Sequence, residues 1–150
     1  MKIYIKFFTL IFLKSFIYVV SIMFSLIFIL NLLTELEFFK EMEVTNSFPI
    51  FLSLLNSPSM IFEMLPFIFL ITTQLFFIKL FNNNEIEIFK YSGLKNTSIL
   101  KIFSLITIIS GIIFTIIFYN FSAVFKNFYL EEKTKFTTDS KYLSVITKNG

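Results

Sequence analysis

Three stretches of this chain, Ser15 to Leu33, Met64 to Ile78 and Ile102 to Phe125, contain no charged residue at all. The first is 19 residues long, and as an α-helix at about 1.5 Å per residue it covers roughly 28 Å, the thickness of one hydrocarbon core. A backbone that crosses a bilayer must satisfy its own hydrogen bonds, so apolar runs of this length fold as membrane-spanning helices. The pattern predicts three spans, at about 15–33, 60–79 and 102–125. Residues 59–63 are expected to lengthen the second span at its outer end, where Pro66 would tilt or kink it, and Lys79 to cap its other end.

Composition agrees. Of the 150 residues 56% are hydrophobic, and the mean hydropathy is +0.81, well above soluble domains. The chain has no His, Cys or Trp, no Arg and a single Ala, Ala123. That bias, with 24 Phe, looks like AT-rich coding, and Phe abundance is accordingly given no functional weight. A disulfide, a thiolate nucleophile or a histidine base cannot be built. A net charge of +3 with dispersed lysines does not suggest a nucleic-acid surface. The three glycines, Gly93, Gly111 and Gly150, form no phosphate loop. Catalysis, metal binding and cofactor binding are therefore not expected, and any nucleotide energy would be used by another chain.

Loop charge orients the spans. The amino-terminal segment and residues 79–101 hold seven lysines against two acids, whereas residues 34–63 hold one lysine and five acids. The amino terminus and the 79–101 loop are expected on the cytoplasmic side. Lys2, Lys6 and Lys14, with Ile3, Phe7, Leu10 and Ile11, suggest an amphipathic entry to the first span. A cleaved signal peptide is disfavoured by the length of the run and the lack of a small-residue cleavage site. The acidic segment 35–63 carries the breakers Pro49 and Pro58, and within it Phe48 to Leu55 reads as an interfacial or packed helix too short to span.

The tail divides into a helical extension ("KNFYLEEKTKF", 126–136), a turn ("TTDS") and a strand ("KYLSVITKNG", 141–150). A lone strand is not stable structure. Residues 126–150 are expected to begin a domain that continues beyond the sequence.

The loop "NNNEIEIFKYSGLKN" at 82–96 interrupts two apolar runs with charge. Asn83 or Asn84 can cap a helix, Glu85 and Glu87 suit its positive end, Lys90 its last turn, and Gly93 a left-handed stop. Spacing alone leaves two readings open: an amphipathic helix that anchors the turn, or one through which a cytoplasmic motor moves the spans. On the third span Ser104, Thr107, Gly111, Thr115 and Ser122 fall near one side, which suits close helix packing more than a substrate path. Gln74, the most polar residue deep in the second span, is expected to hydrogen-bond another helix.

"NEIEIFKYSG" at 84–93, "MLPF" at 64–67 and "SVITKNG" at 144–150 resemble the amino-terminal half of the lipopolysaccharide-export permeases, the LptF/LptG (YjgP/YjgQ) family. "NSPSMIFEMLPF" resembles LptG more than LptF. The resemblance covers essentially the whole chain. It implies an all-α transmembrane region of three spans with a short cytoplasmic coupling helix, followed by the first strand of a truncated periplasmic β-jellyroll. It also implies a multi-pass inner-membrane permease subunit of an ABC exporter that extracts lipopolysaccharide and passes it to a periplasmic bridge protein. The implied partners are a sister permease, a cytoplasmic ATPase dimer that hydrolyses the ATP, the bridge protein and membrane lipids.

By the same resemblance Glu85, Ile86, Glu87, Phe89, Tyr91 and Gly93 belong to the coupling helix, with Glu85 as key polar contact, Phe89 and Tyr91 packing in the ATPase groove and Gly93 stopping the helix. Family members are expected to meet lipid phosphates with cations near the outer end of span one. Here "NLLTELEFFKE" is mainly acidic, which leaves Lys40, and Glu35 through a bridging cation, as candidate lipid contacts beside a plain solvated acidic loop. Two rival readings are a small non-enzymatic membrane scaffold and a permease of another ABC exporter, which would lack the jellyroll.

Overall fold

The computed structural model describes residues 3–41, 44–45 and 47–137. Among them are five helices and no strand: α1 (Ile3–Phe38), α2 (Ser47–Glu63), α3 (Leu65–Asn82), α4 (Glu85–Tyr91) and α5 (Asn96–Thr137). Three of them, α1, α3 and α5, are long and apolar enough to cross a membrane. Only 11% of the most apolar window of α5 is buried. In water that exposure would be untenable, and Ile112, Ile116 and Ile117, each more than half exposed, suit contact with lipid or with another membrane helix.

The expected spans lie inside longer helices. The amphipathic entry is continuous with the first span, with Lys6 and Lys14 exposed on α1. The helical extension at 126–136 is likewise continuous with the third. Residues 59–63 do not lengthen the second span: they close α2, and the chain breaks at Met64 before α3 begins. Pro66 causes no kink, because it sits in the first turn of α3, where no intrahelical N–H is required. The short helix expected at 48–55 runs on through Pro58 to Glu63. Pro58 has no N–H to offer the Leu54 carbonyl; separately, the hydroxyls of Ser53 and Ser57 bond back to the carbonyls of Pro49 and Ser53 within the same helix, at 2.7 and 2.6 Å. The turn and strand expected beyond Thr137 lie outside the described residues.

The chain forms two compact units. One comprises the described residues up to Met23 together with Glu63–Ile117. Its core is aromatic: Phe8, Phe12, Phe76, Leu80, Ile99, Phe103 and Ile106 are buried together. The rings of Phe76 and Phe103 stack at 4.2 Å, Phe12 meets Phe103 edge-on at 5.8 Å, and Phe16 stacks on Phe114 at 4.3 Å. The edge-on pair has the separation and tilt that aromatic quadrupoles favour, the stacked pairs are closer, and α1, α3 and α5 are joined by these contacts. Phe therefore carries more than coding bias here, since it supplies the packing of this unit.

The other unit comprises Phe24–Phe62 and the described residues from Phe118. Phe39, Leu52, Leu55 and Tyr129 form its small apolar centre. Around that centre lies an unusual number of buried polar side chains: Asn31, Glu35, Ser53, Asn56, Ser57 and Ser122.

Candidate functional site

The charged loop folds as expected into a short helix, but its start is made differently. Asn84 adopts a left-handed conformation (φ 53°) and makes no side-chain cap. Its carbonyl accepts from Glu87 and Ile88 N–H at 3.1 and 3.3 Å, so the backbone does the work assigned to an asparagine side chain. The helix ends as the sequence indicated. Gly93 has φ 86°, Leu94 N–H donates to the Phe89 carbonyl at 3.0 Å and Gly93 N–H to that of Lys90 at 2.9 Å. This is the Schellman arrangement, for which glycine is preferred because it lacks a Cβ.

The side chains of α4 divide between inside and outside. Phe89 turns inward, its ring 4.8 Å from that of Phe8 and 5.5 Å from that of Phe7. Ile86 packs against the same cluster. Glu87, Ile88, Lys90 and Tyr91 are exposed, Tyr91 by 90%. Glu85 lies between these classes. Its Oε1 accepts from Asn83 Nδ2 at 3.3 Å, whereas its Oε2 is shielded from solvent and has no hydrogen-bond partner. A carboxylate oxygen left in that condition carries an unrecovered desolvation cost. Both Glu85 and Glu87 sit in the first turn, where the helix dipole favours negative charge.

In the same unit Lys79 Nζ donates to Ser15 Oγ at 3.1 Å. Of the small residues on α5, Thr107 and Gly111 are half-buried, while Ser104 and Thr115 are exposed. A Cβ added at Gly111 would meet only the Phe69 ring, at 4.0 Å. Gln74 is exposed on α3.

The second unit holds a polar network that sequence reasoning missed. Glu35 is 2% exposed and is no member of a solvated loop. Its Oε1 accepts from Tyr129 Oη at 2.7 Å and from Lys133 Nζ at 2.8 Å, and its Oε2 accepts from Lys133 at 3.0 Å. Lys133 also lies over the Phe38 ring at 4.5 Å, a cation–π contact that helps hold the charge out of water. Asn56 donates to Asn31 Oδ1 at 3.2 Å, Asn31 donates to Ser57 Oγ at 3.4 Å, and Lys126 Nζ donates to Asn56 Oδ1 at 2.7 Å. The available signal was the spacing of Lys126, Tyr129 and Lys133, which puts three polar groups on one helix face. Lys40 is exposed.

Among the described residues no group of His, Cys, Asp or Glu could hold a metal ion. Three apolar helices of spanning length, with a doubly terminated charged helix between the second and third, define a multi-pass helical membrane protein. The profile of the lipopolysaccharide export system permease LptF/LptG matches residues 7–128. The chain belongs to the LptF/LptG family and is a permease of the lipopolysaccharide-export ABC transporter, a non-catalytic transmembrane component of the inner membrane; the family implies partners within the Lpt transporter complex. No curated protein and no solved structure matches it.

Proposed function

We propose that α4 is the coupling helix through which the cytoplasmic ATPase dimer moves the permease, and that Glu85 is its principal polar contact. The observation that carries this reading is the exposed outer face of α4, with Glu85 half-buried at its start; the shielded, unpartnered Oε2 of Glu85 is an acceptor that docking must first uncover before a cation or N–H donor of the ATPase can satisfy it. Glu87, Ile88 and Tyr91 form the docking face. Phe89 and Ile86 are the transmitting face, because Phe89 bears on Phe8 and Phe8 on Phe76, so that displacement of α4 reaches α1 and α3 through rings in contact. Gly93 fixes where the helix stops.

In this reading the amino terminus and α4 face the cytoplasm, as the lysine excess of these segments supports. Residues from 126 onward begin the periplasmic domain that hands lipopolysaccharide to the bridge protein. The sister permease packs against the exposed apolar side of the spans, while Gly111 sits beside Phe69 of the chain's own α3. Lys40 is the cation that meets the lipid. Glu35 supports this end of the spans through Lys133 and leaves no free carboxylate for a bridging cation. The chain itself binds no cofactor, since the ATPase subunits hydrolyse the ATP.

The test is Glu85→Gln, which keeps shape and removes charge, assembled with the partner subunits. Loss of one charged hydrogen-bonded partner at an interface costs about 2 kcal/mol or more, so copurification of the ATPase should fall by at least about tenfold, with membrane insertion intact. Unchanged copurification together with unchanged lipopolysaccharide export would refute the assignment.

A further inference from the structure

Beside α4, and in the same unit, lies a groove of about 190 Å³ lined by apolar side chains of α3 and α5. Phe77, Phe81, Ile99 and Leu100 form its walls, and Lys90 and Asn96 its polar edge. Its volume is below the range of pockets that enclose a whole small ligand, and suits a segment of hydrocarbon chain. Phe81 and Leu100 are 65% and 54% exposed, so the apolar wall opens outward.

Position and charge say what should fill it. The uncharged run of α3 ends at Lys79 and that of α5 begins after Lys101, so walls at residues 77–81 and 99–100 straddle the level where hydrocarbon gives way to water. Lys90 is exposed and makes no ion pair among the described residues, and the exposed Lys95 and Lys101 lie close to it in sequence. Glu85 is turned toward Asn83. An apolar slot edged by one lysine, Lys90, at the boundary on the lysine-rich side, with Glu87 exposed on the same helix but not lining the slot, is complementary to an anionic amphiphile.

We propose that this groove binds an anionic phospholipid of the cytoplasmic leaflet, one chain segment against Phe77, Phe81, Ile99 and Leu100 and the phosphate at Lys90 and Asn96. The proposal rests on the orientation given above. Such a lipid would sit against the coupling helix without being the transported molecule. It would make the position of α4 sensitive to the charge of the surrounding membrane.

The sequence has no cysteine, so Leu100→Cys gives a labelling site at the groove edge and Ile112→Cys, exposed on α5 away from the groove, a control. Each variant, labelled with a fluorophore and assembled with the partner subunits, is placed in phosphatidylcholine vesicles containing either brominated phosphatidylglycerol or brominated phosphatidylcholine. At position 100 the brominated phosphatidylglycerol should quench about fivefold more effectively, the preference expected from one well-placed lysine. Lys90→Gln should abolish that preference, and at position 112 the two lipids should quench alike. Equal quenching at position 100, a preference that survives Lys90→Gln, or no quenching by either lipid because an ATPase side chain fills the groove, would each overturn the proposal. An impermeant thiol reagent applied to Leu100→Cys separates the two claims. Labelling from the periplasmic side overturns the orientation and the lipid proposal with it, whereas cytoplasmic labelling without lipid preference overturns the lipid proposal alone.

Discussion

The unit built on Phe8, Phe12, Phe76 and Phe103 is held by apolar contacts, many of them between rings, while the unit that contains Asn31, Glu35, Asn56 and Lys133 adds a buried hydrogen-bond network to a smaller apolar centre. Both solutions answer the same difficulty. Lipid is as apolar as leucine, so helices in a bilayer gain nothing from simply hiding hydrocarbon. The aromatic unit gains from dispersion and ring geometry. The polar unit gains from groups that would otherwise lie without partners where water is scarce. The first responds to loss of volume, and the second to loss of one partner.

The sharpest way to break the comparison is Glu35→Ala, which leaves Lys133 and Tyr129 facing an empty site. Removal of one member of a buried pair typically costs about 3–5 kcal/mol, read as a lower unfolding midpoint in detergent. The double change Glu35→Leu with Lys133→Met should recover most of that loss. If it recovers nothing, the pair is not what holds this unit.

A smaller effect is expected in the aromatic unit. Phe76→Ala leaves a cavity among Phe8, Phe12 and Phe103, but the transfer part of the usual penalty is missing in lipid, and a cost of about 2 kcal/mol remains. Phe76→Leu should recover part of it, because volume rather than charge is what was removed. Equal losses for both variants would argue that ring geometry matters more than volume.

The smallest effect belongs to Asn56→Ala, about 1 kcal/mol, since Lys126 loses an acceptor but keeps its position over the Tyr129 ring, 5.1 Å away. A loss as large as that of Glu35→Ala would show that the asparagine ladder and the ion pair act as one network.

The spans were legible because uncharged runs of 15 to 24 residues have few other folds open to them. The α4 stop was legible because a left-handed position strongly prefers glycine. Its start was not, since Asn84 contributes a backbone angle rather than a side-chain cap. Glu35 read as a candidate lipid contact or as part of a solvated loop, and its pairing was missed because its partner lies 98 residues away, a separation at which charge counting along the chain carries no pairing information. Pro58 read as a breaker, and the serine hydroxyls that accompany it inside α2 became meaningful only once the helix was seen to continue. Phenylalanine was discounted as coding bias, yet rings from three helices meet at Phe76, Phe12 and Phe103. The docking role of Glu85 was suggested by family resemblance, and its shielded oxygen is visible only in three dimensions.

Both ends of α4 are written in the backbone, by a left-handed residue at Asn84 and another at Gly93. Neither α3 nor α5 can grow into the loop without undoing a corner, so the register of the seven residues between is locked whatever their side chains are. Selection is thus free to rewrite the outward surface of this segment as its ATPase changes, provided Phe89 keeps its seat on Phe8 and the two corners stay.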